Sequence, residues 1–255
     1  MNRVPALLTL ALALLSTASA APRTLDQIKA SGTLKLGTEG AFPPFNFYQG
    51  KTLTGFEVDL GNALGKALGL KVDWVVQPFD GLLIALNQGR FDAVLASHAI
   101  TPERQKAVSF LRPHYCSTVN IVARKGGPLT RQALAGKTVG TQIGTAQIPI
   151  LEAVPGIVAV RTFPNDQTVL SALQAGRVDA WSSNGPVVAY MLKQTGQQGK
   201  ILIGEAISNE RNAGAVAKGN TALQGALNTA LARVQADGTY AKLSQKWFGQ
   251  DIRCK

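Results

Sequence analysis

The sequence predicts an α/β protein of two lobes, each a mostly parallel sheet with helices on both faces, with a cleft between them. Three observations predict it. The phrase ALNQGRFDAVLAS, from Ala85 to Ser97, returns as ALQAGRVDAWSSN from Ala172 to Asn184. That interval is too long for a solenoid period and suits two similar lobes. Strand and helix patterns alternate along both halves, the mark of parallel sheets covered on two faces. Finally, Ser97 and Asn184 follow Asp92 and Asp179 at equivalent strand ends. Open α/β sheets bind ligands beyond the carboxyl ends of their strands, so two facing lobes would bring both residues to one cleft.

The elements can be read in order. MNR, the apolar run Ala6 to Leu15 and the small residues Ala18 to Ala20 form a secretory leader cut after Ala20. The run is too short for a spanning helix. TLDQIKASG is a short helix closed by Gly32. TLKLGTE is a strand, and GAFPPFNFYQGKTLTG is turn-rich. FEVDLGNALGKALG carries apolar residues at helical spacing and ends at Gly69. KVDWVVQ is a strand, FDGLLIALNQG a helix ended by Gly89, FDAVLAS a strand, TPERQKAVS a helix and VNIVARK a strand. The second half continues with the strand KTVGTQI, the short helix AQIPILEAV and the strand IVAVRTF. NDQTVLSALQAG is a helix, VDAWSS a strand and GPVVAYMLKQTG a helix. ILIG and AGAVAK are two further strands. The helical finish from Asn220 to Gly249 is interrupted at Asp237-Gly238.

Composition narrows the function. Hydrophobic residues make up 45% of the 255 positions, ordinary for a globular protein. The formal charge is +11. The Lys and Arg residues are scattered singly, without the basic cluster and interleaved aromatics of a nucleic-acid surface, so no nucleic-acid partner is expected. Cys116 and Cys254 are the 2 cysteines of an exported chain, and a disulfide between them is expected. A zinc site built on His114 and Cys116 is the lesser alternative. No metal and no cofactor are expected.

Four stretches carry candidate chemistry. In ITPER, Thr101 is a good N-cap and Pro102 a good first helical residue, but Arg104 opposes the helix dipole. A bound anion gripped by Arg104 would resolve the conflict; a solvated surface arginine is the plain alternative. GTAQ, Gly144 to Gln147, is a second glycine-led turn whose amides could reach the same anion. AFPPFNFY with Phe79 offers an aromatic wall, with Phe42 and Phe79 the better ligand candidates than Phe45 and Phe47. Glu39, Glu57 and Asp59 supply carboxylates, with Asp59 read as a helix-start residue. No nucleophile elbow and no phosphate loop appear.

GFEVDLGNALGKAL, GTEGAFPPFNF, FDGLLIALNQGRFDA, ITPERQKAVSF, GTAQ, LQAGRVDA and DGTYAKLSQKWFG together resemble the periplasmic amino-acid-binding proteins of ABC importers, solute-binding protein family 3. The resemblance spans the chain beyond the leader. It implies a signal peptide over 1–20, a first lobe over 21–115 and 213–255, and a second lobe over 116–212. Hinge crossings would lie near Tyr115 to Thr118 and near Ser208 to Ala215. Arg104 would bind the ligand α-carboxylate with the Ala99 amide and the turn at Thr145 and Ala146. Phe42 and Phe79 would wall the side chain. Ser97 would help hold the α-ammonium, with His98 counted among the same ligand-binding positions. Glu39 would meet a cationic side chain.

Two positions depart from the family pattern. Asn184 stands where an Asp usually pairs with the ligand ammonium, and Ala99 where a Ser or Thr is common. The implied function is capture of a polar amino acid by hinge closure, outside the cytoplasm. Delivery would be to the membrane subunits of an ABC importer, by a monomer that is not an enzyme. The alternatives are a binder of a carboxylate without an α-amine and an enzyme resembling the cyclohexadienyl dehydratases, with Glu39 or Glu57 as general acid.

Overall fold

The structure is a computed structural model that describes residues 21–254; the expected leader lies outside them. Along the chain run α1 (Leu25–Ser31), β1 (Thr33–Thr38), β2 (Ala41–Phe42), β3 (Asn46–Gln49), β4 (Thr52–Thr54), α2 (Phe56–Ala67) and β5 (Lys71–Val76). A 3-10 turn (Phe79–Gly81) leads into α3 (Leu82–Asn87), then β6 (Ala93–Ala99), α4 (Pro102–Ala107), β7 (Val108–Phe110) and β8 (Tyr115–Arg124). A second 3-10 turn (Gln132–Leu134) precedes β9 (Thr138–Gln142), α5 (Gln147–Glu152), β10 (Ala159–Phe163), α6 (Asp166–Gln174), β11 (Ala180–Asn184) and α7 (Gly185–Gln194). The chain finishes with β12 (Ile201–Ala217), α8 (Thr221–Ala236) and α9 (Thr239–Phe248).

One sheet runs through the molecule in the order β10-β9-β11-β8-β12-β6-β1-β5, with β7 also on β12. Its flanks are parallel: β5 and β6 on β1, and β10 and β11 on β9. The centre is antiparallel. β8 pairs with β12 from Tyr115↔Asn212 to Arg124↔Ile201, and the last residues of β12 then pair with β6 and β7. ILIG and AGAVAK are therefore ends of a single 17-residue strand. The polar NERN between them hides that continuity in the sequence. It is accommodated because the partner strand satisfies its backbone.

Two other local expectations change. The turn-rich stretch after β1 forms a small antiparallel sheet, β2-β3-β4. The helix opened by Thr101 ends at Ala107, since Val108 and Phe110 turn inward and pair with β12.

The repeated phrase has a shared structural role. Gly89 and Gly176 both close their helices at positive φ, 71° and 73°. Their amides return to the Leu86 and Leu173 carbonyls at 3.0 and 3.2 Å. The following aspartates each lock the neighbouring parallel strand. Asp92 accepts from the Lys35 amide at 2.8 Å and donates its own amide to the Lys35 carbonyl at 2.9 Å. Asp179 does the same with Thr138, at 2.8 Å both ways. The repeat thus registers one strand on the next in each half, and sets Ser97 and Asn184 at the two strand ends.

The core follows from amphipathic helices laid on this sheet. Leu60 and Leu64 of α2 pack with Leu227 and Leu231 of α8 and Tyr240 of α9, all buried. Burying each such side chain contributes about 1.5–3 kcal/mol. Cys116 and Cys254 are bonded, with Cα atoms 4.8 Å apart. The bridge ties the tail to the start of β8, where the Cys116 amide also donates to the Ile252 carbonyl. With Cys116 in the bridge and His114 held by Glu57, the lesser zinc reading finds no ligand pair. Among the described residues no helix is long and apolar enough to cross a membrane.

Candidate functional site

A cavity lies where the ends of β1, β6, β9 and β11 converge. Its lining includes Glu39, Phe42, Phe79, Ser97, Ala99, Arg104, Thr145, Ala146 and Asn184. These are nine of the ten residues expected at the site. The tenth, His98, lies behind the wall. Because side chains alternate along β6, the residue between Ser97 and Ala99 points the other way. His98 stacks on Phe79 with ring centroids 4.4 Å apart, and burial together with nearby Arg104 holds its pKa well below the usual histidine value.

Arg104 occupies the first turn of α4. Thr101 caps that turn by accepting from the Arg104 amide at 3.2 Å. The dipole conflict read in the sequence is resolved inside the chain here. The guanidinium donates to the Ala99 carbonyl and to the Gly144 carbonyl, both at 2.9 Å, and lies 5.6 Å from the Phe79 ring centroid. Burial lowers its pKa, and Glu210 opposes that shift. Gly144 has φ +77°, and a Cβ there would stand 2.9 Å from the Asp80 Cβ. Only glycine lets the turn after β9 approach the turn before α3 so closely.

Glu39 follows β1 and reaches across the cavity. Gln142, at the end of β9, donates to it at 2.6 Å. Burial raises the Glu39 carboxyl to about 8; the Gln142 bond pulls it down, and Asp166, Glu57 and Asp80 push it further up. Asn184 donates through Nδ2 to the Ser117 hydroxyl, while its Oδ1 is buried without a hydrogen-bond partner. An amide oxygen left like this is an acceptor awaiting a donor.

Two acidic wall residues escaped the sequence reading. Asp166, first residue of α6, accepts from Trp181 Nε1 at 2.9 Å and the Ser183 hydroxyl at 2.6 Å. Burial raises it to about 6 against those two bonds. Glu210 projects from β12, and burial raises it to about 7 while Arg104 pulls it down. Glu210 and Arg104 stay partly open to solvent. Extending the repeat backwards would have found Asp166, because the offset that pairs Ala85 with Ala172 also pairs Phe79, itself a wall residue, with Asp166. Glu210 had no local signal, being one polar residue in a long strand.

Glu57 stands apart from the cavity wall. It is fully buried beneath Ser97, where it receives the Ser97 amide, the Ser97 hydroxyl, Asn46 and His114. It therefore does not face a ligand as the alternative enzyme reading required. Among the described residues no group of three or more His, Cys, Asp or Glu is placed to hold a metal.

Two α/β halves joined by paired strands, with a polar cavity at their facing strand ends, define a two-lobed solute-binding protein of the periplasmic type. Residues 34–250 match the profile of the bacterial extracellular solute-binding proteins, family 3, and the chain belongs to that family. The L-cystine-binding protein TcyJ of Escherichia coli (strain K12) is 37% identical over 233 residues, covering 89% of this chain and 87% of its own. A solved ancestral arginine-binding protein bound to arginine is 39% identical with a TM-score of 0.81, covering 86% of this chain and 99% of that one. An ancestral amino-acid-binding protein described as a precursor of cyclohexadienyl dehydratase is 34% identical with a TM-score of 0.80, covering 88% and 99%.

Proposed function

We propose that this protein captures a cationic amino acid between its lobes, outside the cytoplasm, and hands it to the membrane subunits of an ABC importer. The observation that carries the reading is the charge balance of the cavity. One guanidinium, Arg104, faces three carboxylates, Glu39, Asp166 and Glu210, all with raised pKa values. Burial raises all three, and one guanidinium, which acts on Glu210, does not balance them. A ligand with one carboxylate for Arg104 and two cationic groups for the acids meets that demand. The arginine-bound relative and the cystine-binding relative support an amino acid as the class.

On this reading, residues 21–115 and 213–255 form one lobe and 116–212 the other, with β8 and β12 as the hinge. Closure brings Arg104 to Gly144 and Glu39 to Gln142. The leader is cut after Ala20, and the protein acts as a monomer. It is a carrier and not a catalyst.

Glu39 favours a second reading. A carboxyl titrating at about 8 and facing a cavity can act as a general acid, the requirement of a dehydratase. A melting screen on refolded, ligand-free protein tests the first reading, pairing each amino acid with its des-amino carboxylate. A ligand at about 100-fold its Kd should add about 2.7 kcal/mol. Shifts with arginine, lysine or ornithine but not with their des-amino partners are expected. Equal shifts from the des-amino acids would remove the α-amine from the reading. Turnover of a cyclohexadienyl acid, lost in Glu39→Gln, would establish the second reading.

A further inference from the structure

Glu57 has four hydrogen-bond contacts and no exposure. Its Oε1 takes the Ser97 amide at 2.7 Å and meets His114 Nε2 at 2.9 Å. Its Oε2 takes Asn46 Nδ2 at 2.7 Å and the Ser97 hydroxyl at 3.0 Å. Two of these contacts are unambiguous. A backbone amide only donates, and the Asn46 amide is oriented by its own Oδ1, which accepts from the Gly40 amide at 2.9 Å. A carboxylate offers about four acceptor sites, and all four are used here. At such a group the Ser97 hydroxyl must be the donor.

Serine has a single hydroxyl hydrogen. Once that hydrogen points down at Glu57, the Ser97 oxygen has only lone pairs left for its other neighbours, the buried Tyr115 hydroxyl and the cavity it lines. Ser97 also has φ 53°, the sole positive φ outside glycine among the described residues. Such a conformation is unfavourable for an L-residue and persists only where its surroundings impose it. The two bonds from Ser97 to one buried carboxylate are that imposition.

We propose that Glu57 is a positioning residue that makes Ser97 a pure acceptor toward the cleft, and that this polarity, with the unpartnered Asn184 oxygen, selects a ligand carrying an α-ammonium. The two neutral acceptors then do together what a carboxylate at position 184 would do alone. The inference rests on the amino-acid reading above and adds the residue that sets its amine specificity.

The test measures the affinities of L-arginine and of des-amino arginine (guanidinovalerate) by calorimetry on wild type, Glu57→Gln, Glu57→Asp and Ser97→Ala. In Glu57→Gln an amide N–H can face Ser97 and turn its hydroxyl hydrogen toward the cavity. The preference for arginine over guanidinovalerate should fall about tenfold or more, with Glu57→Asp recovering part of it. Folded Glu57→Gln with wild-type preference would overturn the proposal, as would equal losses for both ligands. If Glu57→Gln does not fold, Ser97→Ala decides: loss of preference supports the acceptor role and an unchanged preference overturns it. Failure of wild type to bind L-arginine would overturn the amino-acid reading itself, and this inference with it. The wild-type arm separates that outcome from the others.

Discussion

Arg104 and Gly144 meet across the cleft, the guanidinium Nη2 donating to the glycine carbonyl at 2.9 Å. The arginine belongs to the first turn of α4, and the glycine to the turn after β9. One side chain thus joins the two halves at the place where the proposed ligand carboxylate would sit.

Arg104→Ala should weaken arginine binding about 100-fold or more, because it removes a bidentate, charge-assisted partner. Arg104→Lys should not restore it, since an ammonium lacks the planar fork. The melting temperature without ligand should change little. Calorimetry and a thermal melt on the same preparations check both statements, and wild-type affinity in Arg104→Ala would displace the carboxylate site.

Gly144 makes a steric prediction. Its positive φ and the nearby Asp80 exclude a Cβ for separate reasons. Gly144→Ala should lose about 1–2 kcal/mol from backbone strain and about tenfold in affinity from hindered closure. Gly144→Asn tolerates the left-handed backbone better, so it should keep the affinity loss with a smaller fall in stability. Equal behaviour of the two variants would show that the contact of the added Cβ with Asp80, which both share, matters and backbone strain does not.

Protons should leave when a cationic ligand binds. Glu39 at about 8, Glu210 at about 7 and Asp166 at about 6 all hold protons more firmly than ordinary carboxyls. A ligand cation prefers the ionised forms, so affinity for arginine should rise from about pH 5 to about pH 8. The unliganded protein should behave oppositely. Between the ordinary and raised values the folded state carries more protons than the unfolded chain, so stability falls as pH rises. Titrations in buffers of different ionisation enthalpy measure the released protons; net uptake would place the cation elsewhere.

The repeated aspartates should differ in cost despite their shared role. Asp92 is buried and bonds Arg23 as well as the Lys35 amide. Asp179 is half-buried and takes the Thr138 amide. Asp179→Asn should cost about 1 kcal/mol and Asp92→Asn about 2–3 kcal/mol, with ligand affinity unchanged in both. Denaturant unfolding compares them.

Much of the architecture was legible because it is local. Helix ends followed from Gly32, Gly89 and Thr101, whose effects act within one turn. The repeat placed Ser97 and Asn184 together, because equal phrases form equal strand ends. Arg104 was visible as a cation at the wrong end of a helix. His98 was placed at the site by its neighbours, and strand alternation turned it behind Phe79.

By itself, the sequence determined the strand–helix order and the twofold plan, because these depend on periodicity, capping and repetition; with the family resemblance it pointed to nine of the residues that line the cavity. Only the tertiary structure decided three other things. It fused two expected strands into β12 and so delivered Glu210 to the cavity. It placed Asp166 in the cavity wall as a third raised carboxylate. It buried Glu57 under Ser97, where a residue read as a candidate general acid became the acceptor for a neighbouring hydroxyl. Those outcomes depend on contacts between residues such as Glu57 and Ser97, or Glu39 and Gln142, far apart in the chain. Their energy comes from burial and desolvation, which no local pattern encodes.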